Sequence, residues 1–266
     1  MQLDKPQRLY VFLAAFFCVT AVLAEFIGVK IFALEATLGI APLVRVRSVS
    51  DPDVSMLLDN GATGIVLSGG TKVFSGGLDV PYLLGCDEDG LCACWSRFFD
   101  AARALAKSPI PVAAAISGHN PAGGCVLALC CDYRVMAEGP FRIGLNETQV
   151  GLAVPEAIQY LMRRIVGAHR AERLIVAGAM IESAQAHALG IIDELAPQEA
   201  VVETALAWLK STTALPQGPQ RISRAIARAD IVQALDGFAG DQMEQFLKGW
   251  YSEETQRVLQ GLFPKK

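Results

Sequence analysis

The chain has 266 residues and a net charge of −4, with a pI near 5.5. That length can bury a sizeable core, as one large domain or two small ones, and the charge argues against a nucleic-acid partner. Seven cysteines form an odd set without disulfide-framework or zinc-ribbon spacing, and His119, His169 and His187 are scattered, so no metal site is expected and reduced thiols suit an intracellular compartment.

The mean hydropathy of +0.36 is high for a soluble enzyme, and most of the excess lies at the start. From Leu9 to Val29 the chain reads LYVFLAAFFCVTAVLAEFIGV, with Glu25 as its one charge. The stretch is long enough to span a bilayer, and no A-x-A-like site marks it as a signal peptide. A buried helix of a soluble domain is the alternative, opposed by apolar residues on every face. Residues 1–45 are therefore read as an apolar N-terminal segment with possible membrane contact through Leu9 to Val29. Residues 45–60 are polar, and Asp51-Pro52-Asp53 offers a helix start for a short turn through Leu58.

Ile65-Val66-Leu67 reads as a short buried strand between glycines. Helical spacing joins Trp95, Phe98, Phe99, Ala102 and Leu105, giving a helix over 91–107 that Pro109 and Pro111 end. A strand over 112–116 follows, then a glycine turn over 118–124 and a short buried helix over 125–131. Cys125, Cys130 and Cys131 read there as small buried hydrophobes. Strands are expected over 133–136 and 141–143, and helices over 157–166, 171–177 and 183–189, the last capped by Ser183 and stopped by Gly190. Ile191 to Leu195 is a short apolar run. After Pro197 the pattern is helical almost to the end, broken near Pro216 and Pro219. Arg221, Arg224 and Arg228 read as the solvated face of a helix, or as a meeting point for a phosphate-bearing ligand. Phe246, Leu247, Trp250 and Tyr251 have helical spacing and read as core. Alternating strands and helices without an internal repeat make the chain α/β.

Three blocks carry chemistry. In Pro121-Ala122-Gly123-Gly124 a turn enters an apolar helix, whose first N–H groups lack intrahelical acceptors and lie at the positive end of the dipole. An acyl oxygen there would gain stabilisation as it becomes an enolate; a turn needed only for packing explains the glycines equally well. The Ser75-Gly76-Gly77-Leu78-Asp79 loop follows the first strand and could supply a second N–H. Asp79 reads as a residue that holds this loop. Glu147, among Ile143, Leu145, Val150 and Leu152, would be desolvated if buried and so raised towards useful base strength; a solvent-facing loop glutamate is the alternative. Glu156, behind Pro155, reads as a first-turn residue that suits the helix dipole.

SGGTKVFSGGLDV, ISGHNPAGGCVLALCCDYRVMA and IGLNETQVGL together resemble the crotonase (enoyl-CoA hydratase/isomerase) superfamily. GLNETQ and IVGAHRAERLIVAGAMIESAQAHALGIIDELAP resemble its Δ3,Δ2-enoyl-CoA isomerase branch in particular. The resemblance runs from about Gly64 to Pro197 and more loosely beyond. It implies a crotonase-like ββα spiral over 46–197, with C-terminal helices over 198–266 that cover the CoA site and build a homotrimer or hexamer. It also implies an acyl-CoA thioester as substrate, with no metal or other cofactor, in fatty-acid β-oxidation. The family's oxyanion hole falls on the N–H groups of Leu78 and Gly123, with Ser75, Gly76, Gly77, Asp79 and Gly124 forming the substrate-binding loops around them. Of the two glutamates that hydratases use, one matches Glu147 and the other falls on Val126. A single acid suits double-bond migration from 3-enoyl to 2-enoyl thioester, with Glu147 as the proton shuttle. Hydration, another one-acid reaction, or a non-catalytic membrane-tethered role are the alternatives.

A cytoplasmic or mitochondrial-matrix location is implied, and Pro264-Lys265-Lys266 is not a peroxisomal tripeptide. The part before Gly64 departs from the family, which opens with a β-hairpin that this sequence is expected to lack. LAEFIGVKIFALEATLG is instead similar to the first membrane span of queuosine-precursor transporters.

Overall fold

The structure, a computed structural model, describes the backbone of residues 30–34 and 43–45 and, in full, residues 63–238 and 240–262. The apolar stretch from Leu9 to Val29 and the turn expected over 51–58 lie outside the described residues. Nine strands and eleven α-helices are described, in chain order: β1 Lys30–Leu34, β2 Leu43–Arg45, β3 Ile65–Ser68, α1 Val80–Leu83, α2 Glu88–Lys107, β4 Val112–Ile116, β5 Asn120–Pro121 and α3 Ala122–Leu129. Then come β6 Tyr133–Ala137, β7 Arg142–Gly144, a 3-10 turn Glu147–Val150, α4 Glu156–Val166, α5 Ala168–Val176, β8 Ile181–Glu182, α6 Ser183–Ala188 and β9 Glu194–Ala196. A 3-10 turn, Gln198–Ala200, leads into α7 Val201–Thr213, α8 Gln217–Ala227, α9 Ala229–Asp236, α10 Asp241–Trp250 and α11 Glu253–Leu262.

The larger sheet has the order β2-β1-β3-β4-β6-β9, and β5-β7-β8 form a second. From β3 to β9 neighbouring strands are parallel. β4, VAAAI, is buried at every position, as a strand covered on both faces must be. Its alanines leave room for α7, which lies across β3, β4 and β6 and buries Val201, Ala205, Leu206 and Leu209.

β1 and β2 pair antiparallel, and β1 adds antiparallel to β3, with Ile31 opposite Leu67. This corrects the expectation that no hairpin precedes Gly64. Lys30–Leu34, which falls in the transporter-like segment, is an inner strand of the sheet.

α2 starts on Asp87, whose Oδ1 accepts the Gly90 N–H at 2.9 Å, a cap contributing about 1 kcal/mol. Its apolar face meets the C-terminal region through ring contacts, Phe99 stacked on Phe238 at 3.7 Å and Trp95 tilted against Phe246 at 4.2 Å. Two local expectations change. α6 is preceded by Glu182 as its cap residue, and Ser183 is helical, its hydroxyl donating to Gly139 O at 2.9 Å. Pro219 lies in the first turn of α8, where its missing N–H costs nothing, so only Pro216 marks a break.

The arginine cluster is also corrected. Arg221 is exposed, but half-buried Arg224 and buried Arg228 pair with Asp132 at 2.8 and 3.1 Å. They tie the C-terminal helices to the core rather than facing solvent. Among the described residues no group of three or more His, Cys, Asp or Glu could hold a metal, and no helix is long and apolar enough to cross a membrane.

Candidate active site

The two glycine loops meet. Phe74, fully buried, donates its N–H to His119 O at 2.8 Å, and His119 N–H donates to Lys72 O at 3.0 Å. These bonds fasten the loop after β3 to the turn before α3. At Gly77 φ is +82°, and a Cβ there would lie 3.1 Å from Ala122 Cβ and 3.2 Å from Gly123 N, so glycine permits both the backbone conformation and the approach. Gly124 allows a second close approach, since its Cβ would fall 2.2 Å from Asn120 Oδ1 and 2.6 Å from Ser75 Cβ. The Leu78 and Gly123 N–H groups find no acceptor among the described residues. Gly123 is the second residue of α3, where a helix cannot supply one.

Ala122 has φ +48° and is the one non-glycine with positive φ among the described residues. A left-handed alanine costs about 1–2 kcal/mol, and it sits between the two loops, where it turns the chain into α3.

Glu147 opens the 3-10 turn that follows β7, and the Gly151 at its end is left-handed with φ +81°. Gly151 packs on α11, where a Cβ would meet Thr255 Cα at 3.2 Å, so the C-terminal helix backs the acid. The Glu147 residue is only 7% exposed. Burial raises its carboxyl from the ordinary 4.5 to about 7, opposed only by its own backbone N–H. Its Oε2 has no hydrogen-bond partner. The solvent-facing alternative is thereby excluded.

These groups share a cavity of about 330 Å³. Gly76, Leu78, Asp79, Gly123, Val126 and Glu147 all line it. Ser75, Gly77 and Gly124, expected among the binding residues, stand behind its wall: Ser75 Oγ accepts the Gly77 N–H at 3.2 Å, and Gly124 is a packing position. Asp79 holds the loop as expected, its Oδ1 accepting the Tyr82 N–H at 2.9 Å at the start of α1. Glu156 faces a separate cavity with Tyr160 and Asp230 and pairs with Arg163. The apolar lining includes Trp95, Phe98 and Trp250, which sequence spacing marks only as core, together with Leu83 and Ile158. Asn146, unremarked in the sequence, also lines it.

An apolar cavity lined by two residues with unpaired amide donors and by one raised carboxyl can hold a developing oxyanion beside a base. The sequence model of the enoyl-CoA hydratase/isomerase family matches residues 56–244, and the chain belongs to that family. It is 31% identical over 204 residues to the human mitochondrial enoyl-CoA delta isomerase 1, a match covering 76% of this chain and 68% of the relative. It is also 28% identical over 216 residues to a Thermus thermophilus protein named as an enoyl-CoA hydratase, covering 78% and 83%. Among solved structures, that of human mitochondrial Δ3-Δ2-enoyl-CoA isomerase superposes with a TM-score of 0.74 at 28% identity, over 84% of this chain and 92% of that one.

Proposed function

We propose that the protein is an acyl-CoA double-bond isomerase, converting 3-enoyl-CoA to 2-enoyl-CoA. The observation that carries this reading is a single buried acid, Glu147, lining the same cavity as Leu78 and Gly123, with Val126 in the lining where a second acid could stand. The thioester oxygen accepts from the Leu78 and Gly123 N–H groups, which are placed before the charge develops and need no reorganisation. Ionised Glu147 takes a proton from C2, the electron pair delocalises onto the oxygen, and the same carboxyl returns the proton at C4. A carboxyl near pKa 7 is matched to both halves of that task. Hydration calls for a second acid to pair with the first; Val126 offers none, and Asp79, the other carboxylate on the cavity wall, is engaged by the Tyr82 N–H. The mitochondrial relatives make the matrix the proposed location.

Purified protein is assayed with 3-enoyl-CoA beside Glu147→Gln. The wild type should form 2-enoyl-CoA, and the variant should lose about 10³-fold in kcat, within the range of a lost acid–base group. A variant as active as the wild type would remove Glu147 from the reaction, and water addition without isomerisation would favour a hydratase.

A further inference from the structure

Asn146 stands where an asparagine normally caps a turn, yet its side chain makes no cap hydrogen bond. Its Oδ1 is buried without a partner, as is Oε2 of the adjacent Glu147, and both residues line the same cavity. Two buried acceptors cannot satisfy each other, and each left unpaired is costly. A single proton carried by one of them changes this, because a carboxylic acid is a donor and an amide oxygen accepts it.

We propose that Asn146 is a positioning residue that accepts a hydrogen bond from protonated Glu147 and holds the transferred proton between C2 and C4 of the substrate. The inference rests on the isomerase reading. When the C2–H bond breaks, its electron pair enters the dienolate and the proton forms an O–H bond on Glu147. That O–H points to Asn146 Oδ1 until the dienolate takes the proton back at C4, so nothing is gained or lost from solvent.

The surroundings leave this role to the amide. α3 presents the Cys125 thiol, kept protonated by burial, and α4 presents Ile158. α11 packs Thr255 and Val258 against Gly151. Asp79 lines the cavity from its loop, and no charged group among the described residues shifts the Glu147 carboxyl.

The test compares the full chain with Asn146→Ala in three readouts: kcat against pH, uptake of solvent deuterium at C4, and the Glu147 carboxyl titration followed by carbon NMR. Losing the acceptor removes a contact made only by the acid form. The variant should lose about tenfold in kcat, the worth of one buried hydrogen bond, with KM little changed. Its acidic limb and its carboxyl titration should move down by about one pH unit, and deuterium at C4 should rise severalfold. Should that variant fail to fold, Asn146→Asp keeps the shape and sets a second carboxyl beside the first, so both should move up.

A titration and limb that stay in place in a folded variant overturn the proposal, even if kcat falls. A wild type that does not isomerise, but whose Glu147 titration moves as stated, overturns the isomerase reading and leaves the Asn146–Glu147 contact standing.

Discussion

The two ends of α3 are finished in opposite ways. At its start Gly123 has an N–H without an acceptor and Ala122 is held at φ +48°. At its other end the carbonyls are taken: Arg228 donates to Cys130 O, Arg134 donates to Cys131 O at 3.0 Å, and Asp132 gathers Arg224 and Arg228. Both ends obey the helix dipole, since cations suit the carbonyl end and a developing oxyanion suits the amide end. The difference is that the far end is filled by the protein's own residues, whereas the near end opens on the cavity, where the proposed thioester oxygen would accept. Stability should therefore reside at one end and chemistry at the other.

The largest effect expected from breaking this division is at the filled end. Asp132 accepts from Arg224 Nη2 at 2.8 Å, from Arg228 Nη1 at 3.1 Å and from Val112 N–H at 2.7 Å. Asp132→Ala leaves two guanidinium groups buried without their carboxylate, which costs about 3–5 kcal/mol. Urea unfolding should register that loss, while the fraction still folded keeps its KM. A loss below about 1 kcal/mol would mean that the arginines find water and the network is dispensable.

Next is the acid itself. Because burial raises the Glu147 carboxyl to about 7, the folded state binds a proton that the unfolded chain releases near 4.5. Its contribution to stability is present below about 4.5 and is lost as pH rises through 7. Glu147→Gln, which removes this titration, should gain on the wild type across that window, by up to about 3 kcal/mol at pH 8. The same substitution should cost the proposed activity about 10³-fold, so a gain in stability with a loss of rate is the signature of an acid held against its own solvation. Equal slopes of stability against pH for the two proteins would place Glu147 in contact with water.

These contrasts explain what the sequence could disclose. β4 and the helix through Trp95 are legible because burial on both faces of a strand leaves a continuous apolar run and burial on one face of a helix leaves a 3.6-residue period. The glycine loops were legible as a turn, but only their joint order gave them a chemical meaning, since Gly124 and Gly77 serve packing and Leu78 and Gly123 offer amides. The pairing of Arg224 and Arg228 is not legible, because spacing along a helix looks the same whether its far side meets solvent or an aspartate more than ninety residues away. The hairpin of β1 and β2 was missed for a related reason: an apolar run does not say which strand it will pair with. Trp250 is buried as its spacing predicts, yet nothing local says that it lines the cavity that holds Glu147.

The smallest effect tests the open end. Ala122→Gly relieves a left-handed alanine, worth about 1–2 kcal/mol, but frees the unfolded chain by about 0.4–1 kcal/mol. The net expectation is a gain of roughly 0.5–1 kcal/mol, or a rise of about 2 °C in Tm for a domain of this size. If the strain serves to hold the Gly123 N–H in place, the same variant should lose several-fold in kcat, because a looser loop must be ordered again at each turnover. A higher Tm with unchanged kcat would make the alanine a tolerated defect. A lower Tm would show that its methyl group, 3.1 Å from where a Cβ on Gly77 would stand, contributes more by packing the two loops together than its backbone costs.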